Sequence, residues 1–119
     1  MIKLELNVTL PSPNYKMHYF KLYKINKKIT NSIKWLLKLE EYQRPKIPVN
    51  VKMIRYSKRQ FDSDNYITAC KNIKDTIADF IIPGKAPGQA DSCKDIYWHY
   101  HQEKLKKGEK ERLVIEIFN

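Results

Sequence analysis

Residues 49–84 read VNVKMIRYSKRQFDSDNYITACKNIKDTIADFIIPG, and this stretch decides the fold. Its first eight residues, Val49 to Tyr56, read as a strand. A basic turn follows, Ser57-Lys58-Arg59-Gln60. From about Asp64 the spacing predicts a helix that runs to Ile81 and is stopped by Pro83-Gly84. On a wheel of about 100° per residue, Ile67, Cys70, Ile73, Ile77, Phe80 and Ile81 take the broad apolar side. Asp64, Thr68, Lys71 and Asp75 fall on one narrow face opposite, with Asp79 beside them. A strand that turns into a two-faced helix is the unit of an α/β architecture.

Upstream, Ile2, Leu4, Leu6, Val8 and Leu10 alternate, so a half-buried strand is expected over residues 2–10, stopped by Pro11 and Pro13. Between Asn14 and Lys28, Tyr15, Tyr19, Phe20 and Tyr23 stand among Lys16, His18, Lys21, Lys24, Lys27 and Lys28. Aromatics between lysines suit stacking on bases and pairing with phosphates; they suit a partly buried, lysine-flanked hairpin equally well. Thr30, Asn31 or Ser32 can cap a helix carrying Ile33, Leu36, Leu37 and Glu40, which ends before Pro45. Trp35 projects off its apolar stripe, toward a candidate dimer surface.

Downstream, residues 84–90 make a loop. A strand over Lys94–Gln102 places Ile96, Trp98 and Tyr100 on one face, with Trp98 in the core, and Tyr97, His99 and His101 on the other. Lys106-Lys107-Gly108-Glu109 turns it into a last strand with Leu113, Ile115 and Ile117 on one side. The order β-α-β-α-β-β, with no repeat or linker, describes residues 1–119 as one compact α/β (α+β) domain built on a mixed sheet.

At 119 residues such a domain is marginal alone, so oligomerisation is expected. Lys and Arg outnumber Asp and Glu by 23 to 13, and a net charge of +10 attracts a polyanion. The start, Met1-Ile2-Lys3-Leu4-Glu5-Leu6, alternates charged with apolar residues and does not resemble a signal peptide. No apolar run approaches a membrane span. Cys70 and Cys93 are therefore expected to be reduced thiols of a cytoplasmic protein with no membrane attachment.

Asp62 and Asp64, one residue apart at a strand-to-helix turn, can converge their oxygens on one hard cation. Mg²⁺, with Mn²⁺ as the substitute, suits a sparse site because it keeps several waters and accepts one or two carboxylates plus a substrate phosphate. A lysine one turn deeper can orient or deprotonate a bound water, or stabilise a phosphoryl transition state. Spacing alone leaves the alternatives open: Asp-x-Asp before a helix also serves as an N-cap, and Lys71 and Asp75 also make an ordinary surface pair. A zinc set of Cys70, Cys93, His99 and His101 is a weaker reading, because Cys70 falls on the apolar face and the cysteines lack paired spacing.

Asp62-x-Asp64-Asn65, then Lys71, Asp75 and Asp91-Ser92, with Arg59 just upstream, resemble the core of the RusA-type Holliday junction resolvases. Pro11-Ser12-Pro13-Asn14 is similar to the proline-and-asparagine loop after that family's first strand, and the ending, Ile96–Gln102, a glycine turn and Leu113–Ile117, is similar too. The likeness covers nearly the whole chain. It implies a homodimeric α/β endonuclease of phage or prophage origin that uses Mg²⁺ to place paired nicks in a four-way DNA junction. Asp62, Asp64 and Asp91 would then be metal-coordinating or catalytic, Lys71 the catalytic lysine, and Asn65 and Asp75 supporting. Lys58, Arg59, Lys16, Lys21, Lys24, Lys27 and Lys28 would bind the arms. The chain departs from the family where Thr68 stands at the register of the lysine, which here is Lys71. It departs again where an acidic pair is reduced to Ala90-Asp91, with Asp95 as the alternative if the loop shifts register.

Overall fold

The computed structural model describes residues 1–13, 18–84 and 89–119. Five residues of strict alternation, Ile2–Leu6, form strand β1, with Ile2, Leu4 and Leu6 buried. The strand ends earlier than its periodicity predicts: Val8 N–H turns back to the Leu6 carbonyl at 3.0 Å, although Leu10 is still buried. Helix α1 spans Tyr19–Leu39, β2 spans Val49–Ser57, and helices α2 and α3 span Ser63–Ala69 and Lys71–Ile81. After a short 3₁₀ turn at Ala90–Ser92 come β3, Ile96–Lys104, and β4, Arg112–Phe118.

The first helix begins a full eleven residues before the expected cap at Thr30, and this corrects the hairpin reading of the described residues from His18 to Lys28. The series Ile25, Ile29, Ile33 and Leu37 continues one stripe upstream with no glycine or proline to interrupt it. Thr30 and Ser32 lie inside the helix rather than at its start; their hydroxyls donate back to the carbonyls of Lys27 and Lys28 at 3.1 and 2.9 Å. The cap is His18, whose Nδ1 accepts from Phe20 N–H at 3.3 Å.

The single helix expected over residues 64–81 is two. Cys70 breaks it with φ −85° and ψ −2°, the geometry of a tightened turn, and its N–H reaches both Tyr66 and Ile67 carbonyls at 3.0 and 3.2 Å. Cys70 and Tyr66 are both buried there, and Tyr66 Oη donates to the Met53 carbonyl on β2 at 2.9 Å. The expected stop holds: Gly84 takes φ +92°, a left-handed conformation that glycine adopts without strain.

The four strands make one mixed sheet in the order β1-β4-β2-β3. β4 pairs antiparallel with β1 (Leu4 opposite Ile115) and with β2 (Met53 opposite Ile115), while β2 and β3 run parallel, Val49 opposite Ile96. The turn containing Gly108 therefore does not close a hairpin of neighbours. It steps over the end of β2, and Leu105 N–H donates to the Ser57 carbonyl on the way. The stripes of α1 (Ile29, Ile33, Leu37) and α3 (Ile73, Ile77, Ile81) share one core with Leu4, Val51, Met53, Ile115 and Ile117 of the sheet. Tyr97, His99 and His101 point away from that core and are exposed. Fold class and architecture are thus α+β, as the sequence implies. Among the described residues no helix is long and apolar enough to cross a membrane.

Candidate functional site

The inward side of β2 runs Val49, Val51, Met53, then Arg55 and Ser57. A hydrophobic stripe that ends in two buried polar residues needs polar partners, and it finds them in the turn that follows. Arg55 donates to the Arg59 carbonyl at 2.9 Å and to Gln102 Oε1 at 3.3 Å, and Ser57 Oγ donates to the same Arg59 carbonyl at 2.7 Å. Gln102, the inward polar residue of β3, accepts from Phe61 N–H and donates to the Phe61 carbonyl, each at 2.8 Å. The guanidinium also lies 3.6 Å over the Phe61 ring. Burial pushes the Arg55 pKa below its ordinary value, with the charge of Glu111 the largest opposing influence.

These contacts fix the backbone on the near side of Asp62. Asp62 is the N-cap residue of α2, but its side chain makes no capping hydrogen bond, and Asp64 stands in the first turn; both carboxylates are exposed. Asn65, next along, is half-buried. Thr68, where the sequence likeness expects a lysine, spends its hydroxyl on the Asp64 carbonyl at 2.9 Å. Beyond the Cys70 break, Lys71 Nζ meets Asp75 Oδ1 at 2.9 Å. The structure therefore groups the expected residues as two pairs, Asp62 with Asp64 at the start of α2 and Lys71 with Asp75 at the start of α3.

The 3₁₀ turn that includes Asp91 packs against α3, anchored by buried Ala90; the side chain of Asp91 is outside the described set. Asp95 lies elsewhere. Its carbonyl accepts from Val49 N–H at the start of β2, whereas Phe61, next to Asp62, is tied to Gln102 opposite Arg55, six residues and roughly 20 Å along that strand at ~3.3 Å per residue. Asp95 is not placed to complete a site with Asp62.

Asp62 and Asp64 offer two exposed hard-oxygen donors one residue apart, a set that fits a cation keeping most of its waters. Among the described residues no three His, Cys, Asp or Glu side chains converge on a metal-sized point. The zinc set dissolves: Cys70 is in the core, His99 meets Asn50 at 2.9 Å, and His101 meets Glu103 at 2.7 Å. Burial pushes the Cys70 thiol up to about 12.

Lys58 and Arg59 are exposed on the turn before Asp62. The β3–β4 connection, which steps over the end of β2, adds exposed Lys104, Lys106, Lys107 and Lys110 to the same edge. Sequence reasoning missed these lysines, because only the strand order brings them beside Ser57. It also missed Arg55 and Gln102, whose signal was a polar residue at an inward position of an alternating strand. Lys21, Lys24, Lys27 and Lys28 are exposed along α1, while Lys16 lies outside the described residues. No protein-family model matches this chain, and no curated protein matches it.

Proposed function

We propose that this protein is a Mg²⁺-dependent endonuclease of branched DNA, a cytoplasmic homodimer that resolves four-way junctions by paired nicks. The observation that carries the reading is the acidic turn: two exposed carboxylates, held from behind by buried Arg55 and by Gln102, in a chain of net charge +10. A protein that only bound phosphate would have no use for clustered acids on a pinned turn. The sequence likeness supplies the substrate, and supplies Asp91 as the third carboxylate.

In this reading Asp62 and Asp64 would hold Mg²⁺, or Mn²⁺ in its place, with Asp91 assigned to the ion by the sequence likeness alone. The bound ion would supply an activated water and offset charge on the scissile phosphate. Lys71 presents its ammonium to the phosphate oxygens, and Asp75, 2.9 Å away, holds it in place. Arg55 and Gln102 act through Phe61 as positioning residues. Lys58, Arg59 and the lysines of residues 104–110 line the edge on which duplex arms rest, so binding weakens steeply with salt as neutralised phosphates release counterions. Two cuts related by a twofold axis call for two copies of the site.

The test is cleavage of a synthetic four-way junction, with and without Mg²⁺, by wild type and Asp64→Asn. Wild type is expected to cut only with the metal, and the variant to lose on the order of 10³-fold or more while melting at the wild-type temperature, because Asp64 is exposed. Cutting that survives both chelation and the substitution sinks the proposal. Tight junction binding with no cutting under any condition favours a non-catalytic DNA-binding protein instead.

A further inference from the structure

Helix α1 carries six lysines and no acidic residue. Its first two turns leave Tyr19, Phe20 and Tyr23 respectively 72%, 63% and 53% exposed. Large aromatics held in water among cations mark a surface that something covers. Between α1 and α3 runs an open groove of about 590 Å³. Tyr19, Tyr23, Lys27 and Lys34 line one wall, and Asn72 and Asp79 stand on the other. The Lys27 ammonium sits 5.7 Å over the Tyr23 ring, so cation and ring act at one place. The groove reaches Asp75, the partner of Lys71.

We infer that this groove takes an unpaired nucleic-acid strand. The two walls differ in a way that fits one. The α1 wall offers ring faces for bases and ammonium groups for phosphates, the pairing that ordinarily binds single strands without regard to sequence. The α3 wall offers an amide and a carboxylate, acceptors for the exocyclic amino groups that an unpaired base exposes and a paired base has already used. A duplex presents its phosphates outward and its ring faces to each other, so it would meet the carboxylates and leave the tyrosines idle. The chain's two basic surfaces thereby divide the substrate: paired arms on the edge around Lys58 and Lys106, and an opened strand along α1. The inference rests on the nuclease reading only for the strand's destination at Lys71 and Asp75; the binding itself stands apart from cleavage.

The experiment measures fluorescence anisotropy of a labelled oligodeoxycytidylate and of a duplex of equal length. The proteins are Asp64→Asn and the same chain carrying Tyr19→Ala and Tyr23→Ala, each checked by its melting curve. Asp64→Asn is expected to bind the single strand more tightly than the duplex. The tyrosine changes should cost on the order of tenfold each on the single strand and leave the duplex unchanged. Adding Lys27→Ala should shallow the salt dependence on the single strand by roughly 0.7 in log–log slope, because one phosphate fewer is neutralised. Equal affinity for both probes, or tyrosine variants that hold the strand as before, overturns the groove. Mg²⁺-dependent junction cutting without single-strand binding would leave the nuclease standing and the groove refuted. Single-strand binding without cutting would do the reverse. Should the tyrosine changes instead turn a dimer into a monomer, or release the protein from anionic vesicles, with strand affinity unmoved, the occupant is a second copy or a membrane surface and the inference fails.

Discussion

The turn between β2 and α2 and the first turns of α1 both gather functional side chains, and they are built in opposite ways. Around Phe61 the backbone is tied by Gln102 on both its N–H and its carbonyl, and the Arg59 carbonyl is tied by Arg55 and Ser57. These ties come from inward residues of two parallel strands, so the exposed carboxylates of Asp62 and Asp64 inherit the rigidity of the sheet. At the start of α1, among the described residues, the Phe20 ring meets those of His18 and Tyr19, with centroids 5.5 and 5.4 Å apart, and all three residues are exposed. Groups that must hold a geometry are anchored from below; groups that must follow a flexible polymer are displayed on an overhang. Under the proposed function this is the division between cutting and holding.

The contrast breaks most readily at Gln102. Replacing it with Ala removes three hydrogen bonds and strands the Phe61 amide, and should cost on the order of 1–3 kcal/mol in a denaturant titration. Junction cleavage should fall by more than that loss of folded protein explains, with kcat hit harder than KM. Unchanged kcat would mean that the turn does not depend on its anchor.

A second measurement sharpens the buried side. Burial raises the Cys70 thiol to about 12 from an ordinary 9.0, and the residue is fully buried. A disulfide reagent should therefore label half-buried Cys93 quickly and Cys70 only as the chain unfolds. Below about pH 9 both folded and unfolded chains keep the Cys70 proton. From 9 to about 12 the unfolded chain sheds a proton that the folded one retains, so stability declines as pH rises across that window. Rapid labelling of both thiols would show that the Cys70 junction opens on its own.

The smallest effect belongs to the overhang. Phe20→Ser should change stability by no more than about 0.5 kcal/mol, read from the melting curve, because that ring is 63% exposed. A larger loss would mean that the aromatics belong to a packed interface within the molecule.

Much of the fold is legible in the sequence, for reasons that individual residues make plain. β1, β2 and β4 follow from local alternation, and the apolar side of α3 from helical spacing; in α2 the wheel fails, because Ile67 is exposed and Tyr66 takes the buried place. The start of α1 is hidden because Thr30, Asn31 and Ser32 mimic a cap while two of them bond backward. The break at Cys70 carries no glycine or proline to announce it. Position along the sheet is out of reach altogether. Only the pairing of Val49 with Ile96 places Asp95 at the wrong end of β2, and only the strand order β1-β4-β2-β3 carries Lys104 to Lys110 to the edge beside Lys58. Of the candidate site, the grouping of Asp62 with Asp64 and of Lys71 with Asp75 follows from short spacings, while the anchor beneath Phe61 requires the third dimension.

The last of the four strands in sequence order is an inner strand of the sheet. β4 joins β1 to β2, and its pairing of Ile117 with Ile2 links segments at opposite extremes of the domain's sequence. During synthesis, β1 waits for its sheet neighbour until residues 112–118 leave the ribosome, and the hydrophobic faces of α1 and α3 have only half a sheet to rest on. Closure on so distant a contact is entropically slow. A nascent chain therefore completes its core only once β4 has emerged, and truncation ahead of Arg112 would cost the whole architecture rather than a tail.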